Sequence, residues 1–281
     1  MTTSIKGFTV GYYKSITKPQ SLSFMATSDN HHPSHVLTNG VHQLLKYAFI
    51  FSRDRNLTSD LLSAIRFSRH CIVSDPLLLK FPNTNTPAVF QYDLIIDNQE
   101  YLYGLEVSLT THIIQNEWLT RVDHDHECDL FNRTNDHGII HIESNAFQNY
   151  ACKNLNHHKT FLSYLAERKD ADHPYMVIIH ELMHFFENGM IFDTVIDQSS
   201  HKLIILDHPD PLLIQKVLAQ QLGQWLVLTK QTSFLHLDIL RQDEIWFCER
   251  SRNVKLYSLN KFRIHDHDDI QKDYIIGRYH L

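Results

Sequence analysis

Apolar positions along the chain follow two different periods. Ile5 to Tyr12 alternates apolar and polar residues, Ala88 to Ile96 is strand-like, and Tyr101 to Leu109 alternates after the turn-forming Asp97-Asn98-Gln99. Alternation sends successive side chains to opposite faces of a sheet, so these stretches predict strands in a meander or hairpin. Tyr47-Ala-Phe-Ile-Phe51 is apolar throughout, as expected of a strand covered on both faces. Ser59 to Cys71 then carries apolar residues at Leu61, Leu62, Ile65 and Phe67, the pattern of an amphipathic helix. Strand, turn, helix is a nucleotide-binding layout.

In the second half, Lys159 to Arg168 and Pro174 to Asn188 predict helices, the latter with proline in its first turn and a stop at Gly189. Leu203-Ile-Ile-Leu206 and Trp225-Leu-Val-Leu-Thr229 are short continuous apolar runs with a helical stretch, Pro211 to Leu222, between them. That order predicts a βαβ unit with buried parallel strands. Glu244 to Glu249 and Val254 to Ser258 predict a closing hairpin around Arg250-Ser-Arg-Asn253. With only eight glycines, eight prolines and no repeat, nothing marks a linker. The expectation is one α/β unit over 1–281, β-rich over 1–135 and carrying the helical segment, βαβ unit and hairpin over 136–281.

Composition narrows the classes. A chain of 281 residues that is 43% hydrophobic is long and apolar enough to bury a sizeable core. It has no apolar run of the roughly 18 residues a membrane helix needs and no apolar core of a signal peptide at its start. Cys71, Cys128, Cys152 and Cys248 are scattered without a C-x-x-C pair, which fits reduced thiols in the cytoplasm and no membrane partner. The net charge of −6 gives no overall pull toward nucleic acid. The 21 histidines cluster, as at His31, His32 and His35 or His157 and His158; solvated side chains are the expectation, because such clusters bind metal only when the fold converges them.

Three blocks carry a resemblance. They are Tyr13 to Phe24 with Leu44 to Phe51; Tyr101 to Glu106 with Asn116 to Leu119 and Leu130 to Arg133; and Leu240-Arg-Gln-Asp-Glu-Ile-Trp-Phe-Cys-Glu249 with Leu256 to Phe262 and Tyr274 to Tyr279. With the joining segments they cover most of the chain. In the same order they resemble the RloA-like abortive-infection AAA ATPases, which have an ABC-type ATPase head. The resemblance implies a mixed sheet of a P-loop ATPase head with flanking helices, ATP and Mg²⁺ as the family's cofactors, and a setting in phage defence or nucleic-acid transactions. It also implies a protein partner, either an intact homologue or a defence-system component.

The chemistry of that family rests on G-x-x-x-x-G-K-[ST], whose backbone N–H groups cradle phosphates while the lysine neutralises them and the hydroxyl holds Mg²⁺. The corresponding loop is Ser52-Arg-Asp-Arg-Asn-Leu-Thr-Ser59. Ser52 and Leu57 replace the glycines, Thr58 stands at the lysine position, and Ser59 alone keeps its identity. Arg53 and Arg55 are candidates for replacement charge, although two solvated arginines in a relic loop is the plainer reading. The resemblance places a remnant of the acid-bearing strand at Leu203 to Leu206, with Asp207 and Asp210 after it and no Glu, and Lys230 where the family has a histidine. The family's signature segment has no counterpart between Gly189 and Leu203. Loss at four elements predicts a shortened, degenerate relative that does not hydrolyse ATP; the alternative is a residual ATP binder without turnover, with Arg53, Arg55, Thr58 and Ser59 as the nucleotide-binding residues.

A competing motif is His180-Glu-Leu-Met-His184, the pattern H-E-x-x-H. On a helix His180 and His184 lie one turn apart and can share a zinc ion, with Glu181 as general base for a metalloprotease. A third ligand is required, and Glu187, His201, Asp207 and His208 are the candidates. The plainer reading is an amphipathic helix in a histidine-rich chain, with Val177, Ile178, Met183 and Phe185 in the core. The runs Asp123-His-Asp-His-Glu127 and His265-Asp-His-Asp-Asp269 are expected to be solvated loops.

Overall fold

The computed structural model describes residues 2–29, 31–74, 86–123, 126–150, 155–168, 173–192, 203–220, 223–250, 253–265 and 268–280. Positions 124–125, Cys152, His201, 221–222, 251–252 and 266–267, which several of the expectations above touch, lie outside them. The chain opens with β1 (Thr3–Gly11), β2 (Gln20–Ser23), a hairpin of β3 (Val36–Asn39) and β4 (His42–Leu45), β5 (Tyr47–Phe51) and α1 (Arg55–Val73). A meander follows: β6 (Ala88–Ile96), β7 (Gln99–Val107), β8 (Ile114–Asp123), β9 (His126–Asp136) and β10 (Ile139–Glu143). The remainder runs α2 (Phe161–Ala166), α3 (Met176–His184), a π-helical turn (Phe185–Gly189), β11 (Met190–Ile191), β12 (Leu203–Asp207), α4 (Pro211–Leu218), β13 (Gln224–Thr229), β14 (Ile245–Arg250), β15 (Val254–Ser258) and α5 (Ile270–Ile276).

Two large sheets result. One is antiparallel, in the order β10-β9-β8-β7-β6-β1-β2; the other runs β11-β12-β13-β5-β14-β15, parallel except for β15. All five residues of β5 are buried, and they feed two cores. Ala48 and Ile50 join α1 and the antiparallel sheet, whereas Tyr47, Phe49 and Phe51 join α4, α5 and the C-terminal aromatics. The parallel sheet is therefore the wall between the cores, and its continuous apolar runs follow from burial on both faces.

Gln224 joins the sheets. At β1 a bulge displaces Lys6, and β2 does not extend alongside Ile5. The buried Gln224 amide takes the place of a strand there: Oε1 accepts from Ile5 N (2.7 Å), and Nε2 donates to Ile5 O (2.9 Å) and Leu45 O (3.0 Å). A buried peptide group left without a partner costs free energy of the order of a lost hydrogen bond, so a glutamine in an otherwise apolar strand meets a backbone demand.

The βαβ unit Leu203 to Thr229 and the Ile245 to Ser258 hairpin form as expected, and the mixed α/β class holds. The strands β8 and β9, of 10 and 11 residues, are long additions to the sequence-based picture. α1 starts at Arg55 and not at Ser59, because Asp54 caps it by accepting the Asn56 N–H. α3 begins two residues after Pro174, and its helical path continues without a break as the π-helical turn to the expected stop at Gly189. The described cysteines Cys71, Cys128 and Cys248 are free thiols, and no helix among the described residues is long and apolar enough to cross a membrane.

Gly104 on β7 lies directly opposite Trp118 on β8. A Cβ there would fall 2.2 Å from the indole and 2.9 Å from the Phe90 carbonyl oxygen. Gly104→Ala is expected to destabilise the protein by about 1–3 kcal/mol through this overpacking. Urea unfolding measures it, and an unchanged midpoint would show that the indole moves aside freely.

Candidate functional site

In open parallel sheets ligands bind beyond the carboxyl ends of the strands, and here that edge collects the segments after β5, β12, β13 and β14. The β5-to-α1 link is only Ser52-Arg53-Asp54. Residues 55–59 of the expected phosphate loop are already helical, so no wrap-around loop exists to cradle a phosphate. Asp54 accepts the Asn56 N–H at 2.9 Å, and the Ser52 hydroxyl donates to the Asp54 carbonyl at 3.0 Å. A helix N-terminus attracts anions through its free N–H groups and dipole; here the chain's own carboxylate already fills that position and adds a negative charge. The residues present do not fit the triphosphate and Mg²⁺ of a P-loop enzyme.

The two candidate arginines go separate ways. Arg53 donates to the carbonyls of Tyr274 and Ile275 at the end of α5, the latter at 2.6 Å, and its guanidinium lies 5.0 Å from the Tyr274 ring centroid. It serves there as a C-terminal helix cap and a cation over an aromatic face. Arg55 stays on the other side, near the ends of β12 and β13, where its charge and that of Lys230 act on His208.

Thr58 and Ser59 part in the same way. Ser59 is exposed. Thr58 is fully buried; its hydroxyl bonds the Arg55 carbonyl at 3.0 Å and lies 3.3 Å from His208 Nε2. The hydroxyl that faces the end of β12 is thus Thr58, one residue before the serine at the motif's hydroxyl position.

His208 continues β12 by donating its N–H to the Leu228 carbonyl and takes a left-handed φ of 49°. Its Nδ1 and Asp207 Oδ1 are buried, with no hydrogen-bond partner among the described residues. Burial pushes the imidazole below its ordinary value of 6.5; Arg55 and Lys230 reinforce the shift and Asp207 opposes it.

On the β14 side of the link lies a cavity of about 320 Å³ lined by Ser52, Asp54, Glu249, Arg250 and His280 among others. Its acid is internally engaged: Glu249 Oε2 accepts from the Tyr257 hydroxyl at 2.6 Å and lies 2.5 Å from His280 Nδ1. No signal in the sequence linked Glu249 to His280. Asp54, in contrast, has the ordinary mark of an N-cap before an apolar-periodic run; reading residues 52–59 as a phosphate loop hid it.

The H-E-x-x-H residues lie on α3, outside the segments that form this edge. His180 and His184 both face solvent from α3, whereas Glu181 accepts a hydrogen bond from the Thr3 hydroxyl of β1. His184 Nδ1 lies 3.2 Å from the Asn188 amide nitrogen. Glu187 is exposed, and Asp207 and His208 belong to the β12 end. Among the described residues no three histidine, cysteine or acidic side chains gather as a metal site, so the pair is not joined there by a third ligand.

His208 yields a test with a defined sign. Its folded-state value is below its unfolded one, so its contribution is present above about pH 6.5 and is lost as pH falls through the lower folded value. His208→Asn keeps a residue that tolerates the left-handed backbone. Between pH 7 and pH 5 wild type should lose stability more steeply than this variant in chemical denaturation. Parallel pH slopes would refute the assignment.

No protein-family model matches the chain, and no curated protein matches it. Among solved structures it is similar to the SMC head domain from Thermotoga maritima, at 7% identity and a TM-score of 0.41, over 93% of this chain and 100% of that one.

Proposed function

We propose that this chain has an ATPase-like α/β fold whose phosphate site is closed, and that it acts without ATP hydrolysis as a scaffold or partner subunit. The observation that carries the reading is the three-residue Ser52–Asp54 link with the Asp54 carboxylate on the N-terminus of α1. A phosphate approaching that end meets an anion instead of free N–H groups, and no lysine offsets it. Arg53 is committed to α5, and Thr58 bonds within its own helix turn. The resemblance to RloA-like abortive-infection ATPases suggests where such a subunit works: in phage defence, beside an intact homologue or another defence component, with nucleic acid reached through that partner.

Calorimetric titration with Mg·ATP, followed by a phosphate-release assay, tests this directly. Neither saturable heat at millimolar nucleotide nor turnover is expected. Asp54→Ala should lower stability by about 1 kcal/mol through loss of the cap and should not create turnover. Saturable binding of Mg·ATP by the wild type would overturn the proposal. Elemental analysis of the same sample separates the rival chemistry, since stoichiometric zinc that disappears in His180→Ala would point to a metalloprotease built on His180, Glu181 and His184.

A further inference from the structure

The outer edge of the antiparallel sheet is β10, Ile139-Ile-His-Ile-Glu143. It joins β9 through a two-residue turn, His137-Gly138, with φ of 47° and 84°. That turn type makes Asp136 and Ile139 a hydrogen-bonded pair. The register continues as His141 opposite Thr134 and Glu143 opposite Asn132, so the N–H and C=O groups of Ile139, His141 and Glu143 face β9. Those of Ile140 and Ile142 face away, and no backbone hydrogen bond to them occurs among the described residues.

We propose that β10 is a strand-pairing edge whose occupant is β10 of a second copy of this chain, aligned antiparallel about a two-fold axis at His141. The strand is self-complementary in that register. Ile140 falls opposite Ile142 of the second copy, and Ile142 opposite its Ile140, as hydrogen-bonded pairs; four backbone hydrogen bonds result from the geometry of an antiparallel ladder. The side chains of Ile140 and Ile142 lie on the face that packs against the main core, so the two copies would extend one apolar surface across the axis. His141 meets His141 as the close, non-hydrogen-bonded pair.

Native edges are usually blunted by lysine, proline or an inward-pointing charge. β10 has none of these, and its single charge is Glu143 at the end. The turn end of the strand is open, and His141 and Glu143 are exposed along it. Ile139 is 61% exposed, the side chains of Asp136 and His137 are 73% and 96% exposed, and nothing lies within 4 Å of a Cβ placed at Gly138. A second copy is the occupant that offers this same pattern of two outward-facing isoleucines flanking a central residue. So short a pairing corresponds to a weak dimer near the lower end of specific interfaces, and it requires no nucleotide.

Sedimentation velocity over a concentration series of full-length protein, up to several hundred micromolar, tests the pairing. A reversible monomer–dimer equilibrium is expected. His141→Asp changes an exposed side chain and places two carboxylates opposite each other on the axis, which should weaken the dimer by about tenfold or more while leaving the far-ultraviolet circular dichroism and melting curve in place. Ile140→Pro removes an outward N–H without touching a β9 ladder bond and should have the same effect. A monomer throughout the series would overturn the proposal, as would a dimer indifferent to both substitutions, which would use another surface. Because the readout is mass, it stands or fails independently of nucleotide binding.

Discussion

The structure depends most on β5 being buried on both faces. A strand of five apolar residues with alternate side chains in two cores has no solvated side, so each flank must be covered and each edge paired. β13 and β14 pair its edges, α1 and the antiparallel sheet cover one face, and α4 with α5 covers the other. That arrangement leaves one polar problem, where β1 bulges beside the end of β2. Gln224 solves it at the start of β13 by bonding both peptide groups of Ile5 and the carbonyl of Leu45. The two sheets are thus held by apolar area in bulk and by two side-chain amides, that of Gln224 and that of Gln20, whose Oε1 accepts from Leu256 N of β15 at 2.8 Å.

The character of the candidate site follows from the same wall. α1 must turn back immediately to cover β5, which leaves three residues for the connection. A short connection needs its first free N–H groups satisfied locally, and Asp54 does so. That carboxylate places a negative charge at the N-terminus of α1, and Arg53 beside it bonds inside the protein. Arg53 closes the end of α5, and Glu249 is held by Tyr257 and His280. At this edge Arg53 and Glu249 are engaged within the protein, while Arg55 stays exposed.

Much of this was legible from pattern alone. β6 matches Ala88 to Ile96 residue for residue, and the runs at Tyr47, Leu203 and Trp225 became parallel strands because doubly covered strands read as continuous apolar segments. The strands β8 and β9 escaped because ionic residues occupy core positions in them. Glu117 is fully buried and accepts from the N–H groups of Phe161 and Leu162 at the start of α2 and from the Tyr103 hydroxyl, with Arg133 beside it. Sequence alternation registers such residues as solvent-facing, and only the fold shows that a buried carboxylate caps a helix. The H-E-x-x-H spacing correctly put two histidines on one helix face, but a spacing says nothing about which distant residue, if any, lies opposite them.

The segment Leu240 to Glu249 is occupied by structural contacts. Arg241 forks onto Asp243 at 2.9 and 2.8 Å and reaches the His31 carbonyl, while Asp243 accepts from the N–H and hydroxyl of Thr27. Glu244 accepts from the Arg241 N–H and meets His35 Nδ1 at 3.0 Å. These buried contacts tie the segment around residues 27–35 to the start of β14. Burial pushes the Glu244 carboxyl above the usual carboxylate range, with the His35 contact opposing that shift. A buried network of this kind adds little net stability compared with apolar packing, yet removing one partner leaves an uncompensated charge at a cost of about 3–5 kcal/mol. The Leu240 to Glu249 segment therefore answers to the packing demands at the start of β14, which are separate from whatever chemistry the carboxyl edge of the parallel sheet carries.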